Sequence, residues 1–348
     1  MQACTEAFLI PCPTMNKYVS VIIPAYNAAS LIGRCIDSVL SQFGVDDVAV
    51  IVVDDGSTDE TSGLVRGIDD PRITILRQEN QGPAAARNRG LEEAAGDYVA
   101  FLDADDYWKP EFLSETVGFL QTNPEAIAVS VGQVHKFPGK PDTVVPQFLQ
   151  GNVCLREPRI LDSFFAFWAE HNHVCTGSVL MRADVVRQTR GQREELRVCE
   201  DIEFWAYLAT FGPWGFIPEV FFVSNGERAV RKQGWLNKNK RRWASATGVE
   251  DWQKRIVQRI SPQDLDYFKA GRARVARNLA HAMVLSYRDV AARQACAWLD
   301  GYRTDRLGSL LARASQSLVT WKFLCGILRS REWWRDKCLR TDRRADRW

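Results

Sequence analysis

Two phosphate-binding signatures are missing from this 348-residue chain. It contains no GxxxxGK[ST], and no GxGxxG follows its first apolar run. The first absence excludes a P-loop and the second a dinucleotide fingerprint. Histidine is scarce, at four residues, and the nine cysteines are scattered without a CxxC pair. An odd, unpaired set of thiols argues against a disulfide framework and for a reducing, cytoplasmic setting. No apolar run reaches the ~18–20 residues of a membrane span. The opening "MQACTEAFLIPCPTMNKYVS" lacks a basic leader region, and its apolar run is only Ala7 to Ile10, so a secretory signal is not expected. Residues 1–17 are expected to form a loose tail.

What is present is ordinary in bulk and uneven in distribution. Apolar residues make up 46% and charged residues 25%, the proportions of a soluble globular chain with room for one large domain or two smaller ones. The net charge of +2 hides a split. Residues 1–228 carry 18 Lys and Arg against 32 Asp and Glu, a balance of −14, whereas residues 229–348 carry 27 against 11, a balance of +16. The two parts are expected to face different partners, with a boundary near residue 229.

The first hundred residues alternate between two periodicities. "YVSVIIP" (18–24) and "VAVIVVD" (48–54) are short continuous apolar runs, the pattern of parallel strands covered on both faces. "ITILR" (73–77) and "DYVAFLD" (97–103) repeat it. Between them, Leu31, Ile32, Cys35, Ile36, Val39 and Leu40 recur at helical spacing. Ser57 and Glu60 in "STDE" have the spacing of a capping box, with Leu64, Val65 and Ile68 expected on the buried face of the helix that follows. "GPAAARNRGLEEAAG" reads as a helix with Pro83 in its first turn and Gly96 past its end. Strand–helix alternation of this length predicts an α/β fold with a mostly parallel sheet flanked by helices.

Ligands of such sheets bind at the carboxyl ends of the strands. The polar clusters fall there. Tyr26 and Asn27 follow the first strand, Asp54, Asp55, Gly56 and Ser57 the second, and Asp103, Asp105 and Asp106 the fourth. Any one cluster could be turn or capping chemistry alone. Three on one edge point to a ligand. Three carboxylates within "DADD" repel one another and call for a positive partner. A hard cation, Mg2+ or Mn2+, prefers carboxylate oxygens and commonly bridges protein to phosphate.

These residues carry a resemblance. "VSVIIPAYNAASLIGRCIDSVLSQ", "VIVVDDGSTDET", "NQGPAAARNRGLEEAAGDYVAFLDADD" and the later "CEDIEFW" resemble glycosyltransferase family 2, with the GT-A fold, over about Tyr18 to Gly226. The resemblance implies an inverting, metal-dependent transferase of the hexosyltransferase class. It implies that Pro24, Ala25, Tyr26 and Asn27 cradle the base and ribose of a nucleotide-sugar donor, with Asp54 or Asp55 near the base and Arg87 on the nucleotide side. It implies that the DxD motif is Asp103 and Asp105, with Asp105 on the metal and Asp103 near the ribose or a metal-bound water. The role of Asp106 is left open. The implied general base is Asp201, with Glu200 as its companion. The family closes a basic or histidine-bearing segment over the diphosphate, for which "NGERAVRKQGW" offers Arg228, Arg231 and Lys232 but no histidine.

One carboxylate suffices for such chemistry. The base removes the proton of the attacking acceptor hydroxyl, and the metal holds the charge developing on the leaving diphosphate. This differs from glycoside hydrolysis, where paired carboxylates flank the bond. From the residues alone, Asp201 near the start of an amphipathic helix bearing Ile202, Trp205, Leu208 and Ala209 is equally a carboxylate favoured by the macrodipole. "AIAVSVGQV" (126–134) and "TGSVLMR" (176–182) read as further strands. Between them, His171 and His173 could be read as a metal pair, but HxH without further ligands fits surface or acceptor-pocket polarity better.

The last 120 residues lie outside the resemblance and read as helical, with Trp and Arg interleaved. They fit either a basic face that is solvated or paired with the acidic half, or attachment to an anionic membrane surface through Trp321, Trp333 and Trp334. No nucleic-acid motif is visible. The expected function is transfer of a sugar from a UDP- or dTDP-linked donor to a glycan or lipid-linked acceptor in surface polysaccharide synthesis, in the cytoplasm or at the inner membrane face. A nucleotidyltransferase on a related sheet would need a Gly-rich basic loop after the first strand, which "PAYNAAS" is not. A non-catalytic binding protein on the same fold would not need Asp103, Asp105 and Asp201.

Overall fold

A computed structural model describes residues 18–45, 47–147, 157–226, 235–299 and 306–341. The apolar runs become β1 (Val19–Ala25), β2 (Val48–Asp55), β3 (Ile73–Gln78) and β4 (Tyr98–Phe101), joined by α1 (Ile32–Leu40), α2 (Thr61–Arg66) and α3 (Pro83–Glu93). These four strands pair in parallel in the order β3-β2-β1-β4, so the carboxyl ends of β1, β2 and β4 open on one edge. After the β5 bridge (Tyr107–Trp108) and α4 (Phe112–Thr122), β6 (Ala128–Lys136) is followed by β7 (Thr143–Val145), β8 (Arg159–Ile160) and α5 (Phe164–Glu170). Then come β9 (Val179–Arg182), α6 (Ala183–Thr189), α7 (Glu200–Leu208) and β10 (Trp214–Asn225). The sheet continues β4-β9-β6-β10-β5, and β9 runs antiparallel between β4 and β6.

Alternation along β1 sends side chains to two cores. Val19, Val21 and Ile23 pack on the face covered by α1 and α4, whereas Ile22 joins the other face with Phe101, Phe204 and Trp205. Gly90 of α3 lies against β1 so closely that an added Cβ would fall 2.3 Å from the Ile22 side chain. The second core continues into the C-terminal helices α8 (Trp235–Ala244), α9 (Val249–Trp252), α10 (Leu265–Leu285), α11 (Asp289–Ala295), α12 (Arg306–Ser315) and α13 (Leu318–Thr341). Trp252, Phe268, Leu279, Trp321 and Leu328 belong to the same cluster as Phe101 and Phe204. Among the described residues, no helix is long and apolar enough to cross a membrane.

Three local expectations are corrected. The capping box does not form. The Ser57 hydroxyl is committed to the Asn27 amide at 3.0 Å, the helix starts only at Thr61, and Leu64 faces solvent. His173 is neither a ligand of a metal pair nor an acceptor-pocket group. It is fully buried among the rings of Phe164, Phe167 and Phe216. Burial pushes its pKa down to about 3, so it is neutral. Trp321 is not an interfacial anchor: it is buried and donates to the Asp289 carbonyl at 3.0 Å.

Many C-terminal arginines turn inward. Arg255 bonds both oxygens of Glu203 at 2.6 and 2.7 Å, donates to the Thr189 and Gly191 carbonyls, and stacks 4.0 Å from the Tyr207 ring centroid. Arg242 reaches Glu200 at 2.7 Å, and Arg259 lies over Phe211. The basic half is thus partly neutralised by the acidic half within one chain. Glu203 is fully buried, so removing Arg255 strands a charge. Arg255→Ala should cost about 3–5 kcal/mol by chemical denaturation, and Arg255→Leu/Glu203→Leu far less. A loss under about 1 kcal/mol for the single variant would show that Glu203 has another partner.

Candidate functional site

The strand ends are sewn together before any ligand is considered. Asn27 takes up left-handed backbone, φ 51°, which Asn tolerates better than most residues. Its carboxamide oxygen accepts from the Thr58 amide at 2.8 Å, and the Ala28 amide donates to Thr61 Oγ1 at 2.7 Å. These bonds tie the loop after β1 to the loop after β2.

Asp54 and Asp55, adjacent on β2, have different surroundings. Asp54 is completely buried and accepts from the Ser57 amide at 2.9 Å and from the Ser62 hydroxyl. Burial alone would raise its pKa, but hydrogen bonds from Ser57 and Ser62 and the Arg77 charge outweigh that and hold it below its ordinary value. Asp55 lines the cleft. Its carboxylate accepts from the Gln81 and Gly82 amides, each at 2.9 Å, and from Gln78 Nε2 at 2.8 Å. It therefore shapes the loop leading into α3. Gly82 in that loop has φ 99°, and an added Cβ would fall 2.9 Å from Arg197 Nη1.

α3 delivers Arg87 to the carboxylates after β4. The Arg87 guanidinium is almost fully buried. Nη2 bonds Asp103 Oδ1 at 2.7 Å and Nη1 bonds Gln192 at 3.2 Å. Arg87 is thus the described positive partner of the acidic run "DADD". The run itself divides. Asp103 and Asp105 border the cleft, whereas Asp106 does not. Asp106 is buried, accepts from the Asn225 amide at 2.8 Å, and has its pKa pushed up to about 8 by burial and by its neighbours Asp103 and Asp105. Its role is to anchor the end of β10.

The opposite wall is α7. Phe101, two residues before Asp103, packs against Phe204 and Trp205 at ring distances of 5.8 and 6.2 Å. This aromatic contact seats the helix bearing Asp201 beside the strand bearing Asp103. Cys199 starts the helix from left-handed backbone, φ 60°. Glu200 pairs with Arg242 of α8 at 2.7 Å, and Arg242 also donates to the Arg197 carbonyl at 2.5 Å. The Asp201 pKa is raised, first by burial and then by Glu200, with Arg87 opposing. That is the direction required of a proton acceptor working near neutrality.

The resulting cleft has a volume of about 850 Å3. It brings together Pro24, Ala25, Tyr26, Asp55, Arg87, Asp103, Asp105 and Asp201, while Asn27 and Asp54 do not line it. Arg228, Arg231 and Lys232 lie outside the described residues. The sequence reading missed Arg197, Arg241, Arg242 and Trp243, which also line it. Arg241 and Arg242 sit in a run of basic residues with nothing local to distinguish them from a solvated face. Asp103 and Asp105 are hard oxygen donors at a partly open cleft edge, a donor set that suits Mg2+ or Mn2+. Among the described residues no three His, Cys, Asp or Glu side chains form a complete cage.

Comparison with known proteins agrees with this fold. Residues 20–189 match the family described as Glycosyl transferase family 2. The chain is 33% identical over 205 residues to the succinoglycan biosynthesis protein ExoO of Rhizobium meliloti, covering 54% of this chain and 55% of that one. It is 41% identical over 107 residues to WfaP of Escherichia coli, a UDP-Glc:alpha-D-GlcNAc-diphosphoundecaprenol beta-1,3-glucosyltransferase, covering 30% and 42%. The matches thus span about half, or less, of these relatives. The fold is similar to that of a mannosyltransferase from Pyrobaculum calidifontis, solved with GDP-Man and Mn2+ (24% identity, TM-score 0.55, 91% and 86% covered). It is also similar to that of Staphylococcus aureus TarS, solved with UDP-GlcNAc (14% identity, TM-score 0.52, 86% and 91% covered).

Proposed function

Because residues 20–189 make this chain a member of glycosyl transferase family 2, we propose that it transfers a sugar, with inversion, from a UDP- or dTDP-linked donor to a saccharide hydroxyl in polysaccharide synthesis. The observation that carries the reading is the placement of Asp201 across one cleft from Asp103 and Asp105. The acceptor is a glycan or lipid-linked saccharide, and the enzyme works at an anionic membrane face. The relatives support this reading, since ExoO is a polysaccharide-synthesis protein and the WfaP acceptor is a diphosphoundecaprenol-linked sugar.

Each residue of the cleft has a task. Pro24, Ala25 and Tyr26 form the floor for the nucleoside, and Asp55 holds the 81–82 backbone against its other side. Arg87 fixes the Asp103 carboxylate at 2.7 Å and keeps the ribose side of the site from being uniformly negative. Asp105 and Asp103 would hold a divalent cation, which when bound neutralises the leaving diphosphate. Arg241, exposed on α8 and bordering the cleft, supplies a cation to the same phosphates from the opposite wall. Asp201 takes the acceptor proton as the hydroxyl oxygen attacks the anomeric carbon. The base needs no proton-donating partner, because a diphosphate leaves as a stable anion.

Two measurements test the assignment. Asp105→Ala should abolish cation-dependent donor binding in a thermal-shift titration while the unliganded protein keeps its fold. Unchanged donor affinity, indifferent to chelator, would remove the metal from the reading. Asp201→Asn should lower kcat by about 10²–10⁴ with donor affinity retained. Near-native turnover would make Asp201 a helix-terminal carboxylate only.

The pH profile supplies a further prediction. A raised Asp201 pKa places the acid limb of kcat above the ordinary aspartate range, because activity is lost as the base is protonated. Glu200→Gln removes the nearest like charge, so the limb should move to lower pH. Arg242→Gln leaves Glu200 unneutralised, so it should move the other way. A limb that ignores both substitutions would mean that another group titrates.

A further inference from the structure

We propose that the outer face of α13 is a docking surface for an anionic lipid bilayer, with Val319, Phe323 and Ile327 entering the interface between Lys322 and Arg331. The proposal deepens the reading above, in which the enzyme works at a membrane face, and rests on it for its biological purpose. The surface itself is defined by packing alone.

α13 is apolar on both sides. Trp321, Leu324, Cys325 and Leu328 are buried and hold the helix to the core. The opposite side should then be polar, as on an ordinary surface helix. Instead Val319 is 79% exposed, Phe323 72% and Ile327 47%. Their four-residue spacing places them along one stripe. Lys322 and Arg331, both exposed, border that stripe on its two sides. Arg329, by contrast, turns inward to the Val284 carbonyl at 2.8 Å and to Asp289. Glu332 is buried. The outer face is therefore an apolar stripe with cationic edges, the arrangement of an amphipathic helix lying in a bilayer interface.

Charge selects the occupant. Residues 318–341 hold six Lys and Arg against two Asp and Glu, and with Arg329 turned inward and Glu332 buried, the exposed charges described on this helix are the cations Lys322 and Arg331. An isologous contact with a second copy would bring the cations of one face against those of the other. A surface of anionic headgroups complements them, and its acyl boundary accepts the stripe. A nucleic acid would engage the cations but give Phe323 and Ile327 no apolar phase. The position also suits function. Lys240 of α8 shares a groove with Arg329, Ser330 and Trp333 of α13, and the next residues of α8, Arg241 and Arg242, border the catalytic cleft. α8 thus links the docking face to the site of transfer.

The test uses the full chain and vesicles, without donor or acceptor, so its outcome is independent of catalysis. The protein should co-sediment with phosphatidylglycerol-containing vesicles at low salt, release as salt rises, and leave pure phosphatidylcholine vesicles largely unbound. Phe323→Ser/Ile327→Ser should weaken binding roughly tenfold or more by removing apolar insertion. Lys322→Glu/Arg331→Glu should weaken it chiefly at low salt. Both variants should keep the wild-type melting temperature within a few degrees and full donor binding, since these side chains are exposed and do not line the cleft. Light scattering should show the same oligomeric state for wild type and variants. Equal binding to both vesicle types, binding unaffected by Phe323→Ser/Ile327→Ser, or a wild-type dimer that this variant dissociates would each overturn the proposal.

Discussion

Carboxylates crowd the mouth of the cleft, and their mutual repulsion is held off by a few guanidinium groups. Arg87 is the central one. Its own burial disfavours its charge, and the Asp103 carboxylate outweighs that cost. Around this ion pair the site is arranged by sheet geometry. β1, β2 and β4 are parallel and end together, α3 brings Arg87 to the end of β4, and the Phe101–Phe204–Trp205 contact sets α7 alongside. Several of the carboxylates at this edge have partners of their own. Asp55 has backbone amides, Asp103 has Arg87, Glu200 has Arg242, and Asp106 has the Asn225 amide.

Much of this was legible in the residues. Continuous apolar runs located the four parallel strands to within a residue or two, and Pro83 marked the start of α3. The acidic edge followed from parallel pairing, since strands that run together end together. The failures have physical causes. Ser57 had the spacing of a capping residue, but a tertiary partner, Asn27, thirty residues away, competed for its hydroxyl and won. Trp321 looked like an interfacial aromatic because composition does not tell which side of a helix faces a core. His173 looked polar and is enclosed by phenylalanines. The cleft arginines were hidden because their function depends on contacts spanning long stretches of chain, such as Arg197 to the Gln81 carbonyl across 116 residues.

The C-terminal helices are more than an appendage to the sheet. They share its second core, and two of their arginines end on the helix that carries Asp201. Arg242 meets the carboxylate immediately before Asp201, and Arg255 meets one two residues after it. One sets the charge beside Asp201, and the other fixes the buried side of the same helical turn.

This arrangement has a consequence for how the molecule comes into being on the ribosome. The sheet and its acidic edge leave the exit tunnel first. The arginine that neutralises Glu200 follows 42 residues later, and the one that neutralises Glu203 lies 52 residues beyond its partner. At about 5–20 residues per second, the nascent chain passes through a period of several seconds in which Glu200 and Glu203 have been made and their arginine partners have not. The helix that carries Asp201 is therefore held by ion pairs that close only once the C-terminal helices have been made, so the order of synthesis leaves two of its carboxylates unpaired until the core is finished.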